Sequence, residues 1–150
     1  MVLALQEYYV DDYVDGHVRC ALRSSGRMVK LLREVLVRIP DEVDPPHLVI
    51  VADSSTAFPV DFVHPHKPVG VSNLCESVFW IIVLQTGLEE RSDDYIKGVI
   101  VHELGHCASG HKHGGTEHEK EADKLAIDWG FKNEIEERRR TDEARNQTQS

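Results

Sequence analysis

Apolar residues recur at every third or fourth position between Arg27 and Pro40, where Met28, Leu31, Leu32, Val35, Leu36 and Ile39 share one helical face. Pro40 closes that helix, since proline has no N–H and disfavours helical geometry in the residue before it. After Pro45 and Pro46 the pattern changes. Residues 47–52 form a β-branched run of strand length, and Val78 to Gln85 is apolar on both faces until Gln85. Such a two-sided apolar run suits a strand inside a sheet or beneath a helix. Residues 53–77 are broken by prolines and read as mostly loop, while the first 20 residues fit a short helix or a strand equally.

A second helix is predicted from about Asp93 to Ser109. Ser92 is placed to cap it, Asp93 and Asp94 suit its dipole, and Gly110 stops it. The polar loop GHKHGG follows, and Thr116 opens a further helix, TEHEKEADKLAIDWG. From Lys132 onward Ile135 is the one large aliphatic residue. The pattern therefore predicts a domain over residues 1–131 and a charged tail over 132–150 that is frayed or disordered. The expected fold class is α+β, with a small sheet packed on two consecutive helices.

At 150 residues the chain can hold one core without disulfides, and 41% hydrophobic with 29% charged residues is ordinary for a globular protein. The net charge of −9 leaves no basic excess for phosphates, so no nucleic acid is expected as partner. Arg138, Arg139 and Arg140 form a local exception, but Glu134, Glu136 and Glu137 beside them make a solvated mixed-charge segment the natural reading. Cys20, Cys75 and Cys107 are widely spaced, with no CxxC. The N-terminus lacks a basic region before its apolar start, and VFWIIVL is too short to cross a bilayer. The expectation is a cytoplasmic protein with no membrane partner.

The chemistry concentrates in His102-Glu103-Leu104-Gly105-His106. On a helix, positions i and i+4 lie on one face a single turn apart, so both imidazoles can reach one metal ion. Zinc suits neutral imidazole, which binds it at ~2.0–2.1 Å in tetrahedral sites. Glu103 points about 100° from His102, beside the ion, where a carboxylate can act as general base toward an attacking water. The uncharged flanks Val99-Ile100-Val101 and Cys107-Ala108 suit a buried site. Cys107 itself reads as a small packed residue.

A catalytic zinc site needs a third protein ligand and an open fourth position. The HExxHxxGxxH layout fails, because Lys112 stands where its histidine belongs and Gly110 is one place late. His118 could serve, as in an SprT-like layout. Glu119 could serve too, within Glu119-Lys120-Glu121-Ala122-Asp123. Glu119, Ala122, Asp123 and Ala126 share a stripe whose alanines allow close helix packing, whereas Glu121 should face solvent. Asp123 could then hold the free N–H of a ligating imidazole. Thr116-x-x-Glu119 also fits a capping box, which would tie Glu119 to the backbone instead.

HELGH followed by EKEADKLAIDWGF resembles the small gluzincins, namely the HtpX/Ste24-type and ImmA/IrrE-type peptidase domains, over roughly residues 78–131. The resemblance implies a zincin-like metallopeptidase domain holding one Zn2+ per chain on His102, His106 and Glu119, with Asp123 behind them. It implies hydrolysis of protein or peptide substrates by a metal-activated water with Glu103 as base. It also implies that the strand before the motif helix borders the substrate cleft. The twelve residues between His106 and Glu119 are fewer than in the membrane-embedded members, and no helix-turn-helix partner domain is evident.

His113 and His118 are candidates to stabilise a transition state. His111 lies in the same polar loop, and His64-Pro65-His66 reads as loop. Two alternatives stand beside the gluzincin reading: an SprT-like protease with His118 as third ligand, and a non-catalytic, zinc-stabilised binding or regulatory module.

Overall fold

The computed structural model describes the backbone of residues 10–16, 18–20, 26–43, 48–52, 69–71, 79–85, 91–109 and 115–148, and the side chains of 10–16, 26–43, 91–109 and 115–148. Five helices make up 86% of the residues with described side chains, and no strand occurs among them. They are α1 (residues 10–16), α2 (Gly26–Arg38), α3 (Asp93–Ser109), α4 (Thr116–Asp128) and α5 (Lys132–Thr148).

This all-helical body overturns the expectation of an α+β domain with a small sheet packed on the motif helix. The backbone of β1 (Val18–Cys20), β2 (Leu48–Ala52), β3 (Val69–Val71) and β4 (Phe79–Gln85) pairs in the order β1-β2-β4-β3, parallel except for β3 against β4. β4 touches α3, but the side chains described around the candidate site come from helices, with α2, α4 and α5 packed on α3.

α3 is buried around almost its whole circumference from Tyr95 to Cys107, Lys97 alone being partly exposed, and apart from His102, Glu103 and His106 its buried residues are uncharged. Its start follows the predicted signals. The Tyr95 N–H donates to Ser92 Oγ at 3.2 Å, and Arg27 grips Asp93 Oδ1 from Nε at 2.9 Å and Nη2 at 2.6 Å. α2 packs against it through Met28, Leu31, Leu32, Val35 and Leu36, the face that the spacing predicted. Val10 and Val14 of α1 join the same core.

Two glycines let helices approach α3 closely. A Cβ at Gly98 would lie 2.3 Å from the Glu134 carbonyl oxygen of α5, and one at Gly105 would lie 2.6 Å from the Ala122 carbonyl oxygen of α4. Ala122 and Ala126 are fully buried in that second seam. α4 ends in a Schellman turn, in which Gly130 N–H donates to Ile127 O and Phe131 N–H to Ala126 O. Gly130 has φ +95°, which glycine adopts without the steric cost borne by other residues. Phe131 is then buried beneath the Arg38 guanidinium, 3.9 Å from its ring centroid.

Residues 132–148 are helical, not a frayed tail. Ile135 is buried, Arg38 bonds the buried Glu134 carboxylate, and the Tyr95 hydroxyl donates to Asp142 at 2.7 Å. α5 is thereby held against α2 and α3 from Glu134 to Asp142. No helix among the described residues is long and apolar enough to cross a membrane.

Candidate metal centre

The two histidines of the motif are almost wholly enclosed, His102 at 1% and His106 at 2% exposure. Their rings meet edge to face with centroids 4.6 Å apart, which brings the two Nε2 atoms within 3.0 Å. The close seam at Gly105 carries α4 across this point, so that Glu119 and Asp123 reach the rings from opposite sides of one turn. Glu119 Oε2 lies 2.9 Å from His102 Nε2, and Oε1 lies 3.4 Å from His106 Nε2. Asp123 Oδ1 lies 2.7 Å from His102 Nδ1.

These contacts constrain the protons. Burial acts to raise the Asp123 carboxyl, but the bond from His102, the charge of Arg138 and the bond from Arg139 outweigh it and bring it to about 2. Ionised Asp123 only accepts, so the hydrogen between it and His102 belongs to Nδ1. In the neutral ring this leaves the Nε2 lone pair facing a carboxylate oxygen at 2.9 Å and a second imidazole nitrogen at 3.0 Å. A metal ion shared among them, or a proton on Nε2, would relieve this convergence.

The donor set fits a zinc ion. Ligand atoms ~2.0–2.1 Å from a tetrahedral ion stand roughly 3.3–3.4 Å from one another, and the separations here are 3.0, 2.9 and 3.4 Å. Among the described residues, His102, His106 and Glu119 form a group able to meet on one ion, and His118 is not part of it. The capping box is not formed either. Gly115, not Thr116, is the N-cap of α4, without a side-chain cap, and the Glu119 carboxylate is engaged with the histidines. Glu121 is exposed, as its place on the helix predicted.

Glu103 is buried at 1% exposure. Burial first, and then the charge of Glu103, push the Cys107 thiol up, so Cys107 is a packed thiol and not a ready nucleophile. The side chain of Glu119 is 43% exposed while the histidines are enclosed, so the centre meets solvent on its α4 side. His111 and His113 of the polar loop lie outside the described residues, as do His64 and His66.

Sequence reasoning missed Arg138 and Arg139, taken for part of a solvated charge run. Arg138 Nη2 donates to Asp123 Oδ1 at 2.7 Å, and Arg139 Nε donates to Oδ2 at 2.9 Å. A signal was present: Phe131, Ile135, Arg138 and Asp142 recur at intervals of three and four, a helical stripe that turns polar where it meets polar partners. Comparison of the chain with protein-family models, with curated proteins and with solved structures gave no match.

Proposed function

We propose that the chain is a zinc-dependent metallopeptidase whose ion is held by His102, His106 and Glu119. The observation that carries this reading is the convergence of the two Nε2 atoms and the Glu119 carboxylate, with Asp123 fixing the proton of His102 on the far side. A zinc ion bound there supplies Lewis acidity, polarising a carbonyl and lowering the pKa of water. The chain's own residues do the rest. Asp123 keeps His102 in the tautomer that presents Nε2, and the apolar body around α3 keeps bulk water from both histidines. Glu103 takes the proton of the attacking water on its carboxylate and returns it to the leaving amine. The solvent-facing side at Glu119 is where substrate and water enter.

The donor chemistry supports metal-assisted hydrolysis, and the narrower assignment to peptide bonds rests on the resemblance of HELGH and ExxAD to gluzincin motifs. A cytoplasmic location belongs to the same reading, supported by widely spaced cysteines of which Cys107 is a free, buried thiol. Glu103→Gln tests the catalytic half. It is expected to keep zinc and to hydrolyse an unfolded protein substrate about 10²- to 10⁴-fold more slowly, the usual worth of a positioned general base. Wild-type rates in that variant would overturn the assignment of Glu103, and a zinc-loaded wild type without hydrolysis would leave a zinc-stabilised binding module.

A further inference from the structure

The Asp123 carboxylate is saturated by more than the histidine it orients. Oδ1 accepts from both His102 Nδ1 and Arg138 Nη2, each at 2.7 Å, while Oδ2 accepts from Arg139 Nε at 2.9 Å and lies 2.7 Å from its Nη2. The two arginines are not equivalent. Arg139 is 47% exposed, whereas Arg138 is 14% exposed and shares the oxygen that His102 uses. Arg138 is delivered there by α5, which the Gly98 seam, the buried Ile135 and the Tyr95–Asp142 bond hold against α3.

We propose that Arg138 is a positioning residue for the metal centre, holding the Asp123 carboxylate in the orientation that keeps the His102 proton on Nδ1 and its Nε2 free to ligate. The inference rests on the metal-centre reading above and adds to it that the C-terminal helix completes the site. Without Arg138, Asp123 Oδ1 would be held by His102 alone, and the carboxylate could turn about its Cβ–Cγ bond with Arg139 still attached. A buried carboxylate freed in this way no longer specifies one tautomer of its partner.

The test uses the full chain and two readouts. The first is the tautomer of His102 in zinc-free protein, read from nitrogen chemical shifts of the imidazole by NMR. Wild type is expected to show protonated Nδ1, Arg138→Met a mixture of tautomers, and Arg138→Lys a return toward the wild-type pattern. The second is affinity for zinc alone, by competition with a chromophoric chelator. Arg138→Met is expected to bind about 10- to 100-fold more weakly, the usual effect of removing a group behind a metal ligand. In an Asp123→Asn background the same substitution should change affinity by less than about threefold, because its effect runs through Asp123.

An unchanged tautomer in Arg138→Met, or equal losses of affinity with and without Asp123, would overturn the proposal. Should Arg138→Met not fold, Arg138→Gln takes its place with the same expectations. A wild type that binds no zinc would refute the metal-centre reading alone, since the tautomer measurement still decides whether Arg138 orders the pair.

Discussion

Replacing Gly105 by alanine asks whether the separation of α3 and α4 sets the metal centre. The added Cβ would lie 2.6 Å from the Ala122 carbonyl oxygen and 3.0 Å from its Cα, all backbone atoms that no side-chain rotation can move. Ordinary contact begins near 3.4 Å, so α4 must retreat by about 0.8 Å. Zinc sites hold their ligand distances to about 0.2 Å, so a retreat of that size takes Glu119 out of reach. Stability should change far less. Overpacking costs about 1–3 kcal/mol, but alanine in place of glycine returns about 1 kcal/mol of helix propensity. The expected result is a melting temperature lowered by no more than about 8 °C and zinc affinity lowered at least about tenfold. Gly26→Ala is the control, since a Cβ there meets nothing within 4 Å. Thermal unfolding of zinc-free protein and chelator competition measure the two effects separately. Zinc affinity within twofold of wild type in Gly105→Ala would refute the reasoning.

Ile135→Ala should cost about 2–5 kcal/mol in denaturant unfolding, because its side chain is fully buried; a loss below about 0.5 kcal/mol would mean that α5 is not docked. Tyr95→Phe removes the hydroxyl that donates to Asp142 at 2.7 Å and should cost about 1–2 kcal/mol at neutral pH. Burial first, then Asp142, raise the Tyr95 hydroxyl to about 12. An acid raised in the folded state contributes stability below its unfolded pKa and loses it as pH rises through the folded value. Wild type should therefore lose its advantage over Tyr95→Phe between about pH 10 and 12, and a constant difference across that window would exclude this coupling.

The sequence made α2 legible because its apolar spacing is unbroken from Met28 to Ile39, and α3 because Ser92 and its two aspartates mark the start. Within the candidate site, HELGH and the stripe of Glu119, Ala122 and Asp123 announced the residues that α3 and α4 bring together. α5 was only partly legible, for a physical reason. Its contact face does not rely on an apolar stripe: it sits on the missing side chain of Gly98 and bonds Tyr95 and Asp123 through Asp142, Arg138 and Arg139. Periodicity reads hydrophobic faces, and here charged residues do part of the packing. The fold class misled for a different reason: the apolar runs at 47–52 and 78–85 suggest a sheet packed on α3, whereas the described side chains around α3 come from α2, α4 and α5.

Metal content tests the central claim most directly. Wild type, Glu119→Ala, His118→Ala and Glu121→Ala would be reconstituted with zinc, desalted and measured by mass spectrometry. About one zinc per chain in wild type, lost with Glu119→Ala and kept in the other two variants, is the result this account predicts. A wild type without zinc, or equal retention in Glu119→Ala and Glu121→Ala, would contradict it.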